Sequence, residues 1–369
     1  MLRIIKIMDL VYWLMLYKAP QVGIRTFYRV LKVFGSPEQV FAASGAQLEA
    51  CRLFKAQTLK YLLSANPANV QSDLDWTTAD NRYILRLIDE DYPQALKTIY
   101  DPPPLLYVRG DLSCLSENQL GIVGSRHPTP GGKDHAYHFA FELAQQGLVI
   151  TSGMASGIDA QAHIGALESG GKTIAICGTG LDRVYPAKHR SLAKQIATQG
   201  ALVSEFMLGT APLAANFPRR NRLISALSLG VLVVEAGIKS GTMITAKLAA
   251  EQGKEVFAIP SSIHNPLAQG PHQLIKDGAK LSENVGDIFD ELPIDFSPNP
   301  EQGDDNKDTK TVDNNNTLLL KYLGYNAVTV DEMVEKSGLS PQIVTQELLL
   351  LELSKQVEKT AFGYVLTRR

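Results

Sequence analysis

Cysteine is scarce in this chain of 369 residues. Its three copies, Cys51, Cys114 and Cys177, stand far apart, without the close pairing of a zinc knuckle or a redox motif. So sparse and odd a set suits a reducing compartment, and a cytoplasmic protein is expected. Long apolar runs are missing as well. The opening stretch MLRIIKIMDLVYWLMLYKAP is broken by Asp9, lacks a small-x-small cleavage site and is too short to span a bilayer. It reads as an amphipathic helix burying Leu10, Trp13, Leu14 and Tyr17, and no membrane partner is expected. Charge of one sign is not in excess: 36 Lys and Arg against 38 Asp and Glu leave a net −2. Any polyanion must therefore be held by a local concentration of positive charge.

The signatures of common catalysts are absent too. There is no Ser-His-Asp order, no pair of catalytic carboxylates, and no GKS or GKT to complete a Walker loop after GIVGSR (121–126). That turn also departs from GxGxxG, so no dinucleotide cofactor is expected. Asp134, His135, His138 and His163 follow no recognised ligand pattern, and no metal is expected.

An apolar fraction of 45% and this length suit two or three domains with real cores. Residues 1–75 read as short helices (Leu10–Tyr17, Ile24–Phe34, Pro37–Ala43, Gln47–Leu63), with apolar spacing near 3.6. Residues 83–292 repeat apolar strand, glycine turn, helix. Six strands are expected, Leu120–Val123, Leu148–Thr151, Thr173–Cys177, Ala201–Glu205, Val231–Glu235 and Val256–Ile259. Near-continuous apolar strands joined by helices imply a mostly parallel, doubly wound, Rossmann-like α/β sheet. Residues 297–316 have almost nothing to bury and read as a flexible linker. A compact tail, 317–369, completes the chain.

Ligands of such a sheet sit outside the carboxyl ends of its strands. Those ends read GIVGSR, TSGMASGID (151–159), ICGTGLD (176–182) and EAGIKSGTMITA (235–246). Glycine permits close backbone approach, and helix N-termini favour anions. In NFPRRNRLISALS (216–228), Arg219, Arg220 and Arg222 crowd a helix start where the macrodipole disfavours cations, which points to an anionic ligand. Arg126 is placed at the same rim. Tyr185 and Phe217 beside these charges suit a platform on which single-stranded bases stack, although Phe217 taken alone fits equally well as a core plug.

The strings GIVGSR, TSGMASGIDAQAHIGAL, GTGLDRVYPAKHRSL, SEFMLG, FPRRNRLISALS, VLVVEA, SGTMITAKLA and GPHQLIKDGA resemble, in order, the DNA-processing protein A family (DprA, or Smf). The resemblance implies an extended Rossmann fold that binds single-stranded DNA, forms homodimers and helps load RecA recombinase in natural transformation, without catalysis or cofactor. It places Gly124, Ser125 and Arg126 on phosphates, with Gly157 and Asp159 shaping the second turn. Gly178, Gly180 and Tyr185 would line the groove. Phe217, Arg219, Asn221 and Arg222 would hold bases and backbone, and Ser240, Gly241 and Thr242 would complete the rim. Two positions depart from the family's habit: Ser156 stands where arginine is common, and Ser261 where glycine is.

Residues 21–35 resemble a worn helix-hairpin-helix or sterile-alpha-motif-like segment, open to structural, partner-binding or phosphate-binding roles. The tail resembles a winged helix, with helices Leu318–Leu323, Val330–Lys336 and Ser340–Ser354 and a hairpin from Val357 to Leu366. Its would-be recognition helix carries Glu347 and Glu352 but no cation, so protein contact or autoregulation is expected of it rather than groove reading. The rival to a binding protein is a nucleotide phosphoribohydrolase-like enzyme with a PGGxGTxxE motif. In KSGTMITA, Ile244 and Thr245 stand where that motif's acids belong.

Overall fold

The computed structural model describes residues 2–294, 319, 328–354, 356–360 and 363–366. The chain divides into two compact units, Met1–Pro298 and Asn299–Arg369.

The first unit opens with six helices, α1 (Leu2–Lys18), α2 (Ile24–Phe34), α3 (Pro37–Ala42), α4 (Gly45–Ala50), α5 (Ala56–Ser64) and α6 (Gln71–Trp76). In α2 the buried Ile24, Phe27 and Val30 recur every third residue, so one stripe faces inward while Arg25, Arg29 and Lys32 stay in water. A capping box of Ser44 and Gln47 starts α4. The helix expected over Gln47–Leu63 is broken: α4 stops at Ala50, Arg52 turns the chain at φ 54, and α5 starts afresh. A non-glycine residue in that region ends a helix, and apolar periodicity alone does not reveal it. Trp13, Leu14, Leu16, Tyr17 and Phe27 belong to one apolar cluster with Tyr107, Ala175 and Leu202 of the sheet. The helical region and the sheet therefore share a continuous core.

Nine strands form that sheet: β1 (Arg82–Arg86), β2 (Leu105–Gly110), β3 (Gln119–Val123), β4 (Val149–Gly153), β5 (Thr173–Ile176), β6 (Ala201–Ser204), β7 (Gly230–Val233), β8 (Glu255–Ala258) and β9 (Lys280–Leu281). Their order is β1-β2-β6-β5-β4-β3-β7-β8-β9. From β6 to β9 every pairing is parallel, with Gly121 opposite Val231 and Ile150 opposite Thr173. All six expected strands are present. The antiparallel β1 and β2, which extend the sheet beyond β6, and the short β9 are additions to them.

Between strands lie α7 (Gln94–Lys97), α8 (Pro130–Gln145), α9 (Ile158–Glu168), α10 (Arg190–Gln199), α11 (Asn216–Leu227), α12 (Gly241–Glu251) and α13 (Gln269–Lys276), and α14 (Gly286–Phe289) follows β9. Alternation along the strands divides the core. Leu120, Ile122 and Ile150 pack with Phe139 and Leu143 of α8, whereas Val123, Val149 and Ile174 pack with Leu223 and Ile224 of α11. The chain winds from β3 outward to β6, then returns past β3 to begin β7. The topological switch point therefore falls between β3 and β7.

The second unit holds helix Val330–Ser337, started by a Thr329–Glu332 capping box, helix Pro341–Leu353, capped by Ser340, and the hairpin Val357–Thr360 with Gly363–Leu366. Its own core includes Met333, Val344, Leu348 and Val357. The expected linker 297–316 and, apart from Leu319, the expected helix 318–323 lie outside the described residues. Among the described residues no helix is long and apolar enough to cross a membrane.

Candidate nucleic-acid interface

At the switch point the carboxyl ends of β3 and β7 open a cleft of about 630 Å³. After β3, the chain lays Gly124, Ser125 and Arg126 along its floor. Two ties fix this turn: the Ser125 amide donates to the Glu235 carbonyl at 2.7 Å, and the Thr242 hydroxyl donates to the Gly124 carbonyl at 3.1 Å. Opposite stand Ser240, Gly241 and Thr242, where α12 begins with no side-chain cap and no acid in its first turn. Its first amides and the buried, unpartnered Ser240 hydroxyl are donors available to an anion.

The third wall is the start of α11. Phe217 and Asn221 face the cleft, and the Asn216 amide nitrogen donates to the Gly178 carbonyl at 3.1 Å. The Arg126 guanidinium lies 5.5 Å from the Phe217 ring centre, and the Tyr185 ring is 5.7 Å from Phe217 at 41°. Tyr185 is 47% exposed, a large aromatic held in water. A second pocket of about 90 Å³ adjoins this platform and is lined by Gly178, Ser156 and the same aromatic pair. A Cβ on Gly178 would come within 2.9 Å of the Phe217 ring, so this position admits no side chain without moving the ring.

Beneath the platform Arg220 is buried, 4% exposed, donating from Nη1 to the Ile176 carbonyl at 2.7 Å, with Nε unpartnered. Asp159, also buried, accepts from the Ala155 amide at 3.2 Å. Burial pushes its carboxyl up and the Arg220 charge opposes that rise; burial likewise pushes the Arg220 guanidinium down. Among the described residues Asp159 is the only acid lining the cleft, set against Arg126 and Arg220, so the lining carries one net positive charge. No acid pairs with Arg126 among the described residues.

Of the residues expected at the site, Gly124, Ser125, Arg126, Asp159, Tyr185, Phe217, Asn221, Ser240, Gly241 and Thr242 line the cleft, and Gly178 lines the adjoining pocket. Gly157 and Gly180 line neither. Gly157, at φ 83, starts α9 against the Ser125 carbonyl, where a Cβ would collide. The Gly180 amide donates to the Thr210 carbonyl at 3.2 Å.

Arg219 and Arg222 point elsewhere. Both pair with the fully buried Glu205 at 2.9 and 2.7 Å, and Arg222 adds Asp101 at 3.2 Å. The Arg219 guanidinium also sits 5.3 Å from the Phe206 ring centre. Two of the three arginines crowding this helix start are thus neutralised internally. Arg220, one of the three in the expected anion-binding cluster but not among the residues that the family resemblance placed at the site, is the arginine that reaches it. The spacing carried that signal, because 217, 220 and 221 share a helical face from which 219 and 222 turn away.

Among the described residues no metal cluster forms from Asp134, His135, His138 and His163. His163 is buried, donating from Nε2 to the Gly153 carbonyl at 2.6 Å, with Nδ1 2.7 Å from the Thr173 hydroxyl. One acid–thiol group, Asp111, Cys114 and Glu117, could gather around an ion, but Lys172 pairs with both of its acids at 3.1 and 2.7 Å.

Comparison with known proteins agrees with this fold. Residues 83–293 match the family model for DNA recombination-mediator protein A, and residues 304–361 match that for the DprA winged helix domain. Protein Smf of Escherichia coli (strain K12) is 43% identical over 312 residues, 83% of each chain. The X-ray structure of DNA processing protein A from Streptococcus pneumoniae superposes with a TM-score of 0.70 at 33% identity, covering 77% of this chain and 99% of that one. A Helicobacter pylori DNA processing protein A, studied for its single-stranded DNA binding mode, gives 0.52 at 34% identity over 57% of this chain and 94% of its own. The chain therefore belongs to the DNA recombination-mediator protein A family, DprA/Smf, with an extended Rossmann-like domain and a C-terminal winged helix.

Proposed function

We propose that this protein binds single-stranded DNA in the switch-point cleft, as a homodimer, and delivers the strand to RecA recombinase. The observation that carries the reading is Arg126, a cation without an acid partner among the described residues, laid over Phe217 beside the exposed Tyr185. Such a unit holds a phosphate and stacks the neighbouring base without reading its identity; each stacked base is worth about 1–3 kcal/mol. The uncapped start of α12 offers a second phosphate position. The resemblance to a relative studied for single-stranded DNA binding supports the ligand, and family membership supports recombinase delivery and dimerisation.

The test is fluorescence anisotropy of labelled single- and double-stranded oligonucleotides with wild type, Arg126→Ala and Phe217→Ala. Salt-sensitive preference for single strands, weakened at least tenfold in both variants, is the expected outcome. Undiminished binding by folded variants would remove the cleft from the reading. The hydrolase alternative would have to rely on Asp159, the only carboxylate lining the cleft among the described residues, which faces Arg220. Release of free base from nucleoside monophosphates would restore that alternative.

A further inference from the structure

We propose that the exposed face of α2, together with the α4–α5 turn, is a second nucleic-acid surface that takes the phosphodiester backbone outside the cleft. Between Leu10 and Asn66 seven cations stand against two acids, Glu38 and Glu49, in a chain whose net charge is −2. Lys18 is spent on Asp73. The other six (Arg25, Arg29, Lys32, Arg52, Lys55 and Lys60) are all exposed, and among the described residues none makes an ion pair.

Three of them form a line. Positions 25, 29 and 32 lie on one helical face over ~10 Å of axis, opposite the buried Ile24, Phe27 and Val30. Phe34 stacks on Phe54 at 6.4 Å, which brings the segment bearing Arg52 and Lys55 against the end of the same helix. At the helix start the Arg25 guanidinium sits 5.3 Å from the ring centre of Tyr100, which is 83% exposed.

A solvated face usually mixes both signs of charge, as Lys172, Lys247 and Lys280 do with their acids elsewhere in this unit. Here repulsion is left uncompensated. Arg25 also stands in the first turn of a helix that has no acid there, where a cation costs roughly 0.3–1 kcal/mol. A polyanion laid along the face would relieve both. The helix's apolar stripe is already buried and leaves Val33 as its one exposed apolar side chain, too little to insert into a membrane. A row of point charges with an exposed aromatic at one end suits a phosphate backbone better than a compact acidic patch on a protein.

The experiment titrates full-length protein with a hexanucleotide short enough for the cleft alone, a long single strand and a long duplex, each at several salt concentrations. The comparison is with Arg25→Gln/Arg29→Gln/Lys32→Gln. Loss of three phosphate contacts should lower the slope of log affinity against log salt by about 2 on the single strand or nearly 3 on the duplex. Hexanucleotide binding should stay unchanged. A fall on the single strand would run the cleft-bound strand across α2, and a fall on the duplex alone would seat a neighbouring duplex there. Unchanged slopes on both long ligands would overturn the proposal. So would an equal loss in Arg25→Lys/Arg29→Lys, which keeps the charge. If wild type fails to hold the hexanucleotide while the slope change persists, the cleft reading falls and this one stands.

Discussion

At the residue scale, His163 shows how a group suggestive of chemistry in the sequence can be absorbed by packing. Its ring crosses from α9 to the end of β4, both nitrogens engaged, and burial holds its pKa near 4 against an ordinary 6.5. Between those values the unfolded chain binds a proton that the folded one refuses. Stability is therefore complete above about pH 6.5 and falls as the pH drops toward 4, by on the order of 3 kcal/mol from this group. Urea unfolding of wild type and His163→Gln at pH 7 and pH 4.5 measures it. The variant should lose stability relative to wild type at neutral pH and recover much of the gap in acid. A gap that does not change with pH would mean that the ring is not the titrating group. The same carbonyl tie fixes Gly153, whose missing Cβ leaves room for Arg220 and Asp159 under the cleft.

At the scale of elements, α11 serves two purposes on two faces. One presents Phe217, Arg220 and Asn221 to the cleft, and the other commits Arg219 and Arg222 to Glu205. Removing Arg222 leaves a buried carboxylate short of a partner, so Arg222→Ala should cost about 3 kcal/mol of stability while changing strand affinity per folded molecule only a few-fold. Arg126→Ala should do the reverse, within about 0.5 kcal/mol in stability. Unfolding and anisotropy on both variants separate the roles; a fully stable Arg222→Ala that no longer binds DNA would put Arg222 on the ligand. Element type is legible in this region because β-branched runs between glycine turns admit few alternatives, and all six parallel strands lie where expected. The antiparallel pair β1–β2 is not, since RYILR and LLYVRG are joined by residues 87–104, which hold none of the glycine turns that mark the other strands. The cleft is legible as a set of strand-end turns. The partners of the arginines are not, because Glu205 and Asp101 reach α11 through tertiary packing that no local spacing encodes.

At the scale of the whole molecule, a nearly balanced charge conceals local specialisation. The winged helix offers the sharpest case. Its helix Pro341–Leu353 holds Val344, Leu348 and Leu351 in the core and leaves Ile343, Leu349, Leu350 and Leu353 exposed, the last at 74%, beside Glu347 and Glu352. A helix that reads a groove neutralises phosphates, and this one would instead bring acids and apolar surface to them. Exposed apolar side chains beside acids fit contact with protein. The unit also has its own apolar core, separate from the clusters that hold the sheet. Deleting residues 317–369 should therefore leave the remainder folded, with single-strand affinity within a few-fold of wild type and the salt slope unchanged. Anisotropy on the truncated protein reads both quantities. A collapse of affinity together with a shallower slope would show that the tail supplies phosphate contacts. Affinity that rises well beyond wild type would mean that the tail restrains the cleft, and its exposed leucines would then be the place to look for the restraint.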